Sequence, residues 1–116
     1  MQLLKGSALF ADDEAGFRRR IHDTGSGPLR SYAYASPRNG ACPYHCHARS
    51  FELFVAMEGE GVVVVDGEEV RMSKGDALIV EPGEYHLVQA GDEAFHLLCV
   101  VAPNLDDAEV KELHAP

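Results

Sequence analysis

From residue 28 onward the chain is a series of short apolar runs, each cut by glycine, proline, asparagine or aspartate, and this rhythm restricts the fold most. The runs are Leu29 to Ala35, Tyr44 to His47, Phe51 to Met57, Gly61 to Val65, Glu69 to Met72, Ala77 to Glu81, His86 to Gln89 and Phe95 to Val101. Runs this short, separated by turn residues, predict an all-β sandwich or barrel rather than helices. Asp66-Gly67 is the strongest local signal, because both central residues of a type I′ hairpin turn need positive φ. Glycines 59, 61, 67, 75 and 83 are all expected at turns of this kind.

The ends read less clearly. Asp12 to Arg20 fits a short helix or a loop. Asn104 to Leu113 starts on a cap-like asparagine and carries an Ala108/Val110/Leu113 apolar edge, which predicts a short C-terminal helix on the outside of the barrel. One domain over residues 1–116, with its barrel core at about 29–102, accommodates the whole chain.

Charge narrows the partners. Ten Lys and Arg stand against 19 Asp and Glu, a formal net charge of −9, so the surface repels phosphate backbones. The one basic run, Arg18 to Arg20, reads as a solvated stretch, and no nucleic-acid partner is expected. No run approaches the 18 apolar residues of a membrane span, and no signal peptide is legible at the N-terminus. Three cysteines, Cys42, Cys46 and Cys99, predict reduced thiols in a cytoplasmic protein. An extended segment would hold Cys42 and Cys46 about 13 Å apart, too far for a disulfide.

Chemistry concentrates in the histidines. Of six, His22, His96 and His114 are read as ordinary surface or core residues. His45 and His47 are two apart, so one strand projects both imidazoles from the same face and throws Cys46 to the other as a small buried hydrophobe. Glu52 lies in the apolar stretch Phe51 to Met57. Facing inward, its carboxylate would need a cation; facing solvent, it would need nothing, and this segment alone leaves both readings open. Parity adds a condition. Positions 45 and 47 are odd and 52 is even, so a shared site requires a turn or bulge within Ala48 to Ser50. His86 follows Pro82-Gly83-Glu84-Tyr85, a turn able to aim a ligand inward.

Taken together, Gly40, His45, His47, Glu52 and Gly59, followed by Gly75, Gly83 and His86, resemble the two sequence motifs of the cupin superfamily. Departures are few: the gap from Gly40 to His45 is one residue short, Glu81 stands where a proline is usual, and Ala90 replaces a frequent asparagine. The resemblance implies a double-stranded antiparallel β-barrel of jelly-roll type with one divalent transition metal ion, Fe, Mn, Ni, Co or Zn, held by His45, His47, Glu52 and His86. It further implies a metal-dependent enzyme acting on a small oxygenated or anionic substrate. A dioxygenase, an isomerase, lyase or decarboxylase, and a non-catalytic binding cupin all fit the motifs. Tyr34, Tyr44 and Tyr85 are candidate proton donors and Arg38 and Arg49 candidate carboxylate anchors, although wall or surface roles suit each. A homodimer is expected, with Leu29–Ala35 or Val62–Val65 as candidate faces.

Overall fold

The computed structural model describes residues 11–12, 18–22, 28–36, 44–105 and 107–110. They form eleven strands: β1 (Ala11–Asp12), β2 (Arg18–His22), β3 (Arg30–Ser36), β4 (His45–His47), β5 (Phe51–Glu58), β6 (Glu60–Val65), β7 (Glu68–Ser73), β8 (Ala77–Val80), β9 (His86–Ala90), β10 (Phe95–Ala102) and β11 (Ala108–Val110). A six-stranded sheet runs β1-β2-β3-β10-β5-β8 and a five-stranded sheet runs β11-β4-β9-β6-β7. Every pairing is antiparallel. All eight runs read from the sequence are strands, and among the described residues no helix forms. None is therefore long and apolar enough to cross a membrane.

Alternation fills the space between the sheets. On β10, Phe95, Leu97, Cys99 and Val101 are buried while His96, Leu98, Val100 and Ala102 alternate with them on the other face. Phe54, Ala56, Val63, Met72, Val80 and Val88 complete the core with the first three of these. The predicted hairpin forms as expected: Asp66 and Gly67 have φ of 47° and 84°, joining β6 to β7 in register from Val65↔Glu68 to Glu60↔Ser73.

Three expectations are corrected. The C-terminal helix gives way at Ala108–Val110 to strand β11, which pairs with His45–His47; the two-residue spacing of Ala108 and Val110 suits a strand, and the pairing supplies backbone partners that an isolated helix turn lacks. The reading of Asp12 to Arg20 as helix or loop is replaced at its described ends by β1 and β2, a hairpin pair in the register Ala11↔Arg19. Residues 13–17 lie outside the described set. Gly61, unlike Gly59, Gly67, Gly75 and Gly83, does not have positive φ. It is an inward-facing strand residue whose missing side chain makes room for Phe95: a Cβ there would fall 2.2 Å from Phe95 Cδ2.

Because that ring is wholly buried, it has nowhere to retreat. Gly61→Ala is expected to destabilise the fold by about 1–3 kcal/mol through overpacking. Chemical denaturation would show a lowered midpoint; an unchanged midpoint would refute this account of Gly61.

Candidate metal centre

Phe95 and Gly61 fill one end of the barrel, and the four residues singled out in the sequence meet at the other. Glu52 enters from β5, in the six-stranded sheet. His45 and His47 enter from β4 and His86 from β9, in the five-stranded sheet. The parity condition is met by a corner: at Ala48, Arg49 and Ser50 the chain leaves one sheet and enters the other. Glu52 thus turns inward although its number is even.

The corner is pinned from the far end of the chain. Asp107 accepts the Arg49 amide at 2.8 Å on Oδ2, and its carbonyl accepts the Ala48 amide at 3.1 Å. Ser50 Oγ lies 2.8 Å from the Pro103 carbonyl and 3.1 Å from Asp107 Oδ2. Burial pushes the Asp107 carboxyl up, but the Arg49 amide, the Ser50 hydroxyl and His47 outweigh it and hold the group below the usual carboxylate range.

His86 is aimed by a second set of contacts. Glu84 Oε1 accepts the Glu81 amide at 2.7 Å and closes the Pro82-Gly83 turn, while the Gly83 amide donates to the His47 carbonyl at 2.9 Å. Asp66 exchanges two bonds with the backbone of Tyr85, at 2.7 Å and 3.0 Å, so the β6–β7 hairpin fixes the residue just before His86. In register, His86 faces His45 across β4–β9.

The side chains converge tightly. One ligand atom from each of His45, His47, Glu52 and His86 lies within 4.8 Å of every other. His86 Nε2 stands 3.0 Å from Glu52 Oε2, and His47 Nε2 stands 3.4 Å from the same oxygen. The Glu52 residue is 0% exposed and sits between Val101 and Val80 in its sheet. Two ligand atoms each about 2.1 Å from one ion, at right angles to each other, would lie about 3.0 Å apart, so these spacings suit a shared cation.

Tautomers support the same arrangement. His86 Nδ1 is 3.0 Å from the Glu84 carbonyl, an acceptor that requires the proton on Nδ1. His47 Nδ1 is 3.4 Å from Asp107 Oδ1, which makes the same demand. With Nδ1 protonated, each Nε2 faces the buried carboxylate either as a lone pair that can share a cation with it or, in the metal-free chain, as the N–H of an imidazolium. This donor set of three imidazoles and one carboxylate could hold a divalent transition metal ion. Asp107 and the Glu84 carbonyl were not legible as site groups: one lies 60 residues from its histidine, and the other is backbone.

The other candidates stand apart. Cys46 is buried on the opposite face from the imidazoles, as its parity predicts, and is a free thiol. Its hydrogen bond pushes the Tyr85 phenol up. The rings of Tyr44 and Tyr85 pack with centroids 5.5 Å apart. Arg49 is exposed. The Tyr34 side chain, Arg38 and Cys42 lie outside what is described. A surface groove along Glu60, Arg71, Lys74, Gln89 and Glu93 sits at the opposite strand ends, and its polar side chains are all exposed.

A family model for the cupin domain matches residues 35–101. Among solved structures, KdgF from Halomonas sp. is 25% identical, with a TM-score of 0.73 over 84% of this chain and 88% of that one. TT1209 from Thermus thermophilus is 26% identical, with a TM-score of 0.75 over 89% and 98%. The polyketide cyclase RemF from Streptomyces resistomycificus, at 18% identity, shares the fold with a TM-score of 0.78 over 98% and 87%. Among curated proteins nothing matches.

The Glu52 hydrogen bond raises the His47 pKa above 6.5, against the opposing effect of burial. A raised folded value means that the protonated imidazole stabilises the metal-free chain fully below 6.5 and that this contribution is lost as pH rises through the folded value. Melting of the metal-free chain should therefore show declining stability above about pH 6.5, a decline that Glu52→Gln reduces while Asp107 sustains the remainder. Metal uptake, which needs the neutral imidazole, should improve over the same rise. A metal-free chain equally stable throughout would refute the coupling.

Proposed function

The chain belongs to the cupin family, and from that membership and its buried cluster we propose a metal-dependent enzyme acting on a small oxygenated, anionic substrate. In this reading His45, His47, Glu52 and His86 hold one divalent transition metal ion. The observation that carries it is the fully buried Glu52 carboxylate facing two imidazole nitrogens whose partner atoms are already committed. When bound, such an ion polarises a substrate oxygen or gives O2 a place to react.

The chain's own groups prepare the centre. Asp107 and the Glu84 carbonyl fix the two imidazole planes and keep Nε2 free to donate its lone pair. Glu52 cancels one unit of a doubly charged ion, leaving +1, which favours an anionic or enolisable oxygen ligand despite the acidic surface. Val80 and Val101 flank Glu52 in its sheet and keep its surroundings dry. An octahedral ion held by these four residues would keep two positions for substrate, whereas a structural site would keep none. Among the fold neighbours, RemF is a polyketide cyclase, so this barrel serves an enzyme elsewhere.

Purified chain is expected to take up one equivalent of metal, and His45→Ala to bind it at least about 100-fold more weakly in competition with a chromophoric chelator. A panel of small diols, keto acids and thiols then separates the chemistries. Oxygen consumption identifies a dioxygenase; turnover without oxygen identifies an isomerase, lyase or decarboxylase. Metal uptake without any turnover assigns a binding role instead. Failure to bind metal would sink the reading altogether.

The same proposal extends to assembly and compartment. Phe51, Met57 and Ile79 are 48%, 51% and 63% exposed on the outer face of the six-stranded sheet, beside Leu53, Val55, Leu98 and Val100. An apolar sheet face of this kind suits a two-fold homodimer. Among the described residues the most exposed large apolar side chains lie here, on the sheet that carries one anticipated segment, Leu29–Ala35, and not on the other, Val62–Val65. Ile79→Glu should yield monomers in sedimentation velocity, and a wild-type chain that is itself monomeric would overturn the dimer. Neither Cys46 nor Cys99 is in a disulfide among the described residues, which supports a reducing cytoplasm.

A further inference from the structure

An inward-facing cation near the cluster plays no part in the site described above. Arg30, the first residue of β3, stands opposite Val101 of β10; Val101 stands opposite Glu52 of β5; Glu52 stands opposite Val80 of β8. Directly opposed residues of antiparallel strands project from the same face of the sheet. Glu52 and Val101 are 0% exposed and Val80 is 2% exposed, so the row points into the barrel and Arg30 belongs to it. Its Nε is buried and has no hydrogen-bond partner among the described residues.

An arginine donor enclosed without an acceptor is unfavourable, because water has been removed and nothing has replaced it. Arg30 and Glu52 are two strand spacings apart, about 10 Å between Cα atoms. Their side chains leave the same face of the sheet on either side of Val101, at a separation that a molecule of a few carbon atoms spans. A guanidinium offers a planar fork of donors that matches a carboxylate with two parallel hydrogen bonds. It is also the cation best able to do so away from bulk water.

We infer that Arg30 binds the carboxylate of a small substrate whose other oxygen function is directed to the His45–His47–Glu52–His86 centre. The inference rests on the metal-dependent reading above and deepens it, since it names the substrate class: a short-chain anion with a carboxylate at one end and a metal-seeking oxygen at the other. Arg30 acts as a specificity-determining residue by fixing the substrate's end-to-end orientation. Half-buried on the inner face of the sheet, it offers a positive charge to a barrel whose surface is acidic. Neither Arg38 nor Arg49 is needed for that role, and Arg49 is exposed.

The test compares two acids of equal chain length, succinate and butanoate, by calorimetric titration into Mn(II)-loaded protein. Both present one carboxylate to the metal, and only succinate has a second for Arg30. Wild type is expected to prefer succinate by about 30-fold. Arg30→Gln should lose that preference while binding butanoate and Mn(II) as wild type does. Arg30→Lys, which keeps the charge without the fork, should fall between them. Equal binding of the two acids by wild type, or an undiminished preference in Arg30→Gln, overturns the assignment. Mn(II) titration reports separately on the metal reading and on the folding of each variant. If wild type takes up no Mn(II), that reading falls, and the succinate preference of the metal-free chain, kept in wild type and lost in Arg30→Gln, still decides the role of Arg30.

Discussion

The Glu52 carboxylate is the most demanding group in the structure, and the surrounding elements are arranged to satisfy it. A charge enclosed between two valines cannot persist without a counter-charge and donors. Three imidazoles reach it from the opposite sheet. The contact of His86 and His47 with one carboxylate oxygen is what joins the two sheets at this end of the barrel. At the other end the join is apolar, made by Phe95 and its neighbours. The fold therefore closes by two different means, one hydrophobic and one polar, and chemistry belongs to the polar end.

Meeting that demand takes more than the four side chains. The corner at Ala48 to Ser50 has to turn at one place so that β4 and β5 join different sheets, and Asp107 holds it there with side chain and backbone together. The turn before His86 is held from three directions: by the Glu84 side chain, by the His47 carbonyl and by Asp66. Support of this kind orients the imidazoles of His47 and His86 before any ion arrives, which removes part of the reorganisation that binding would otherwise require.

Much of this was legible in the residues alone. Turn glycines and short apolar runs identify the strands because both signals are local, and Asp66-Gly67 identifies a hairpin for the same reason. Even the corner followed from arithmetic, since an inward Glu52 contradicts the parity of His45 and His47 unless the chain turns between them. What escaped was non-local. Ala108 to Val110 is too short to display a period, and a strand of three residues is decided by its distant partner, His45–His47. Asp107 reads as an ordinary acid in the first turn of the helix expected from Asn104 onward. Arg30 is a single cation within a run that reads as apolar, and its direction depends on register with β10. Gly61 resembled the other glycines, and only the position of the Phe95 ring distinguishes it.

The last strand also has a consequence for how molecules of this protein behave in a crowd. Without β11, the three residues that carry His45 and His47 would form the border of the five-stranded sheet and expose a free row of amides and carbonyls. Such a border invites extended segments of other chains to add on, a route to aggregation. Any added segment would also settle directly beside the two imidazoles. By laying Ala108–Val110 along them, the chain occupies that border itself, so the backbone bearing half of the histidine-rich cluster is shielded from promiscuous strand addition.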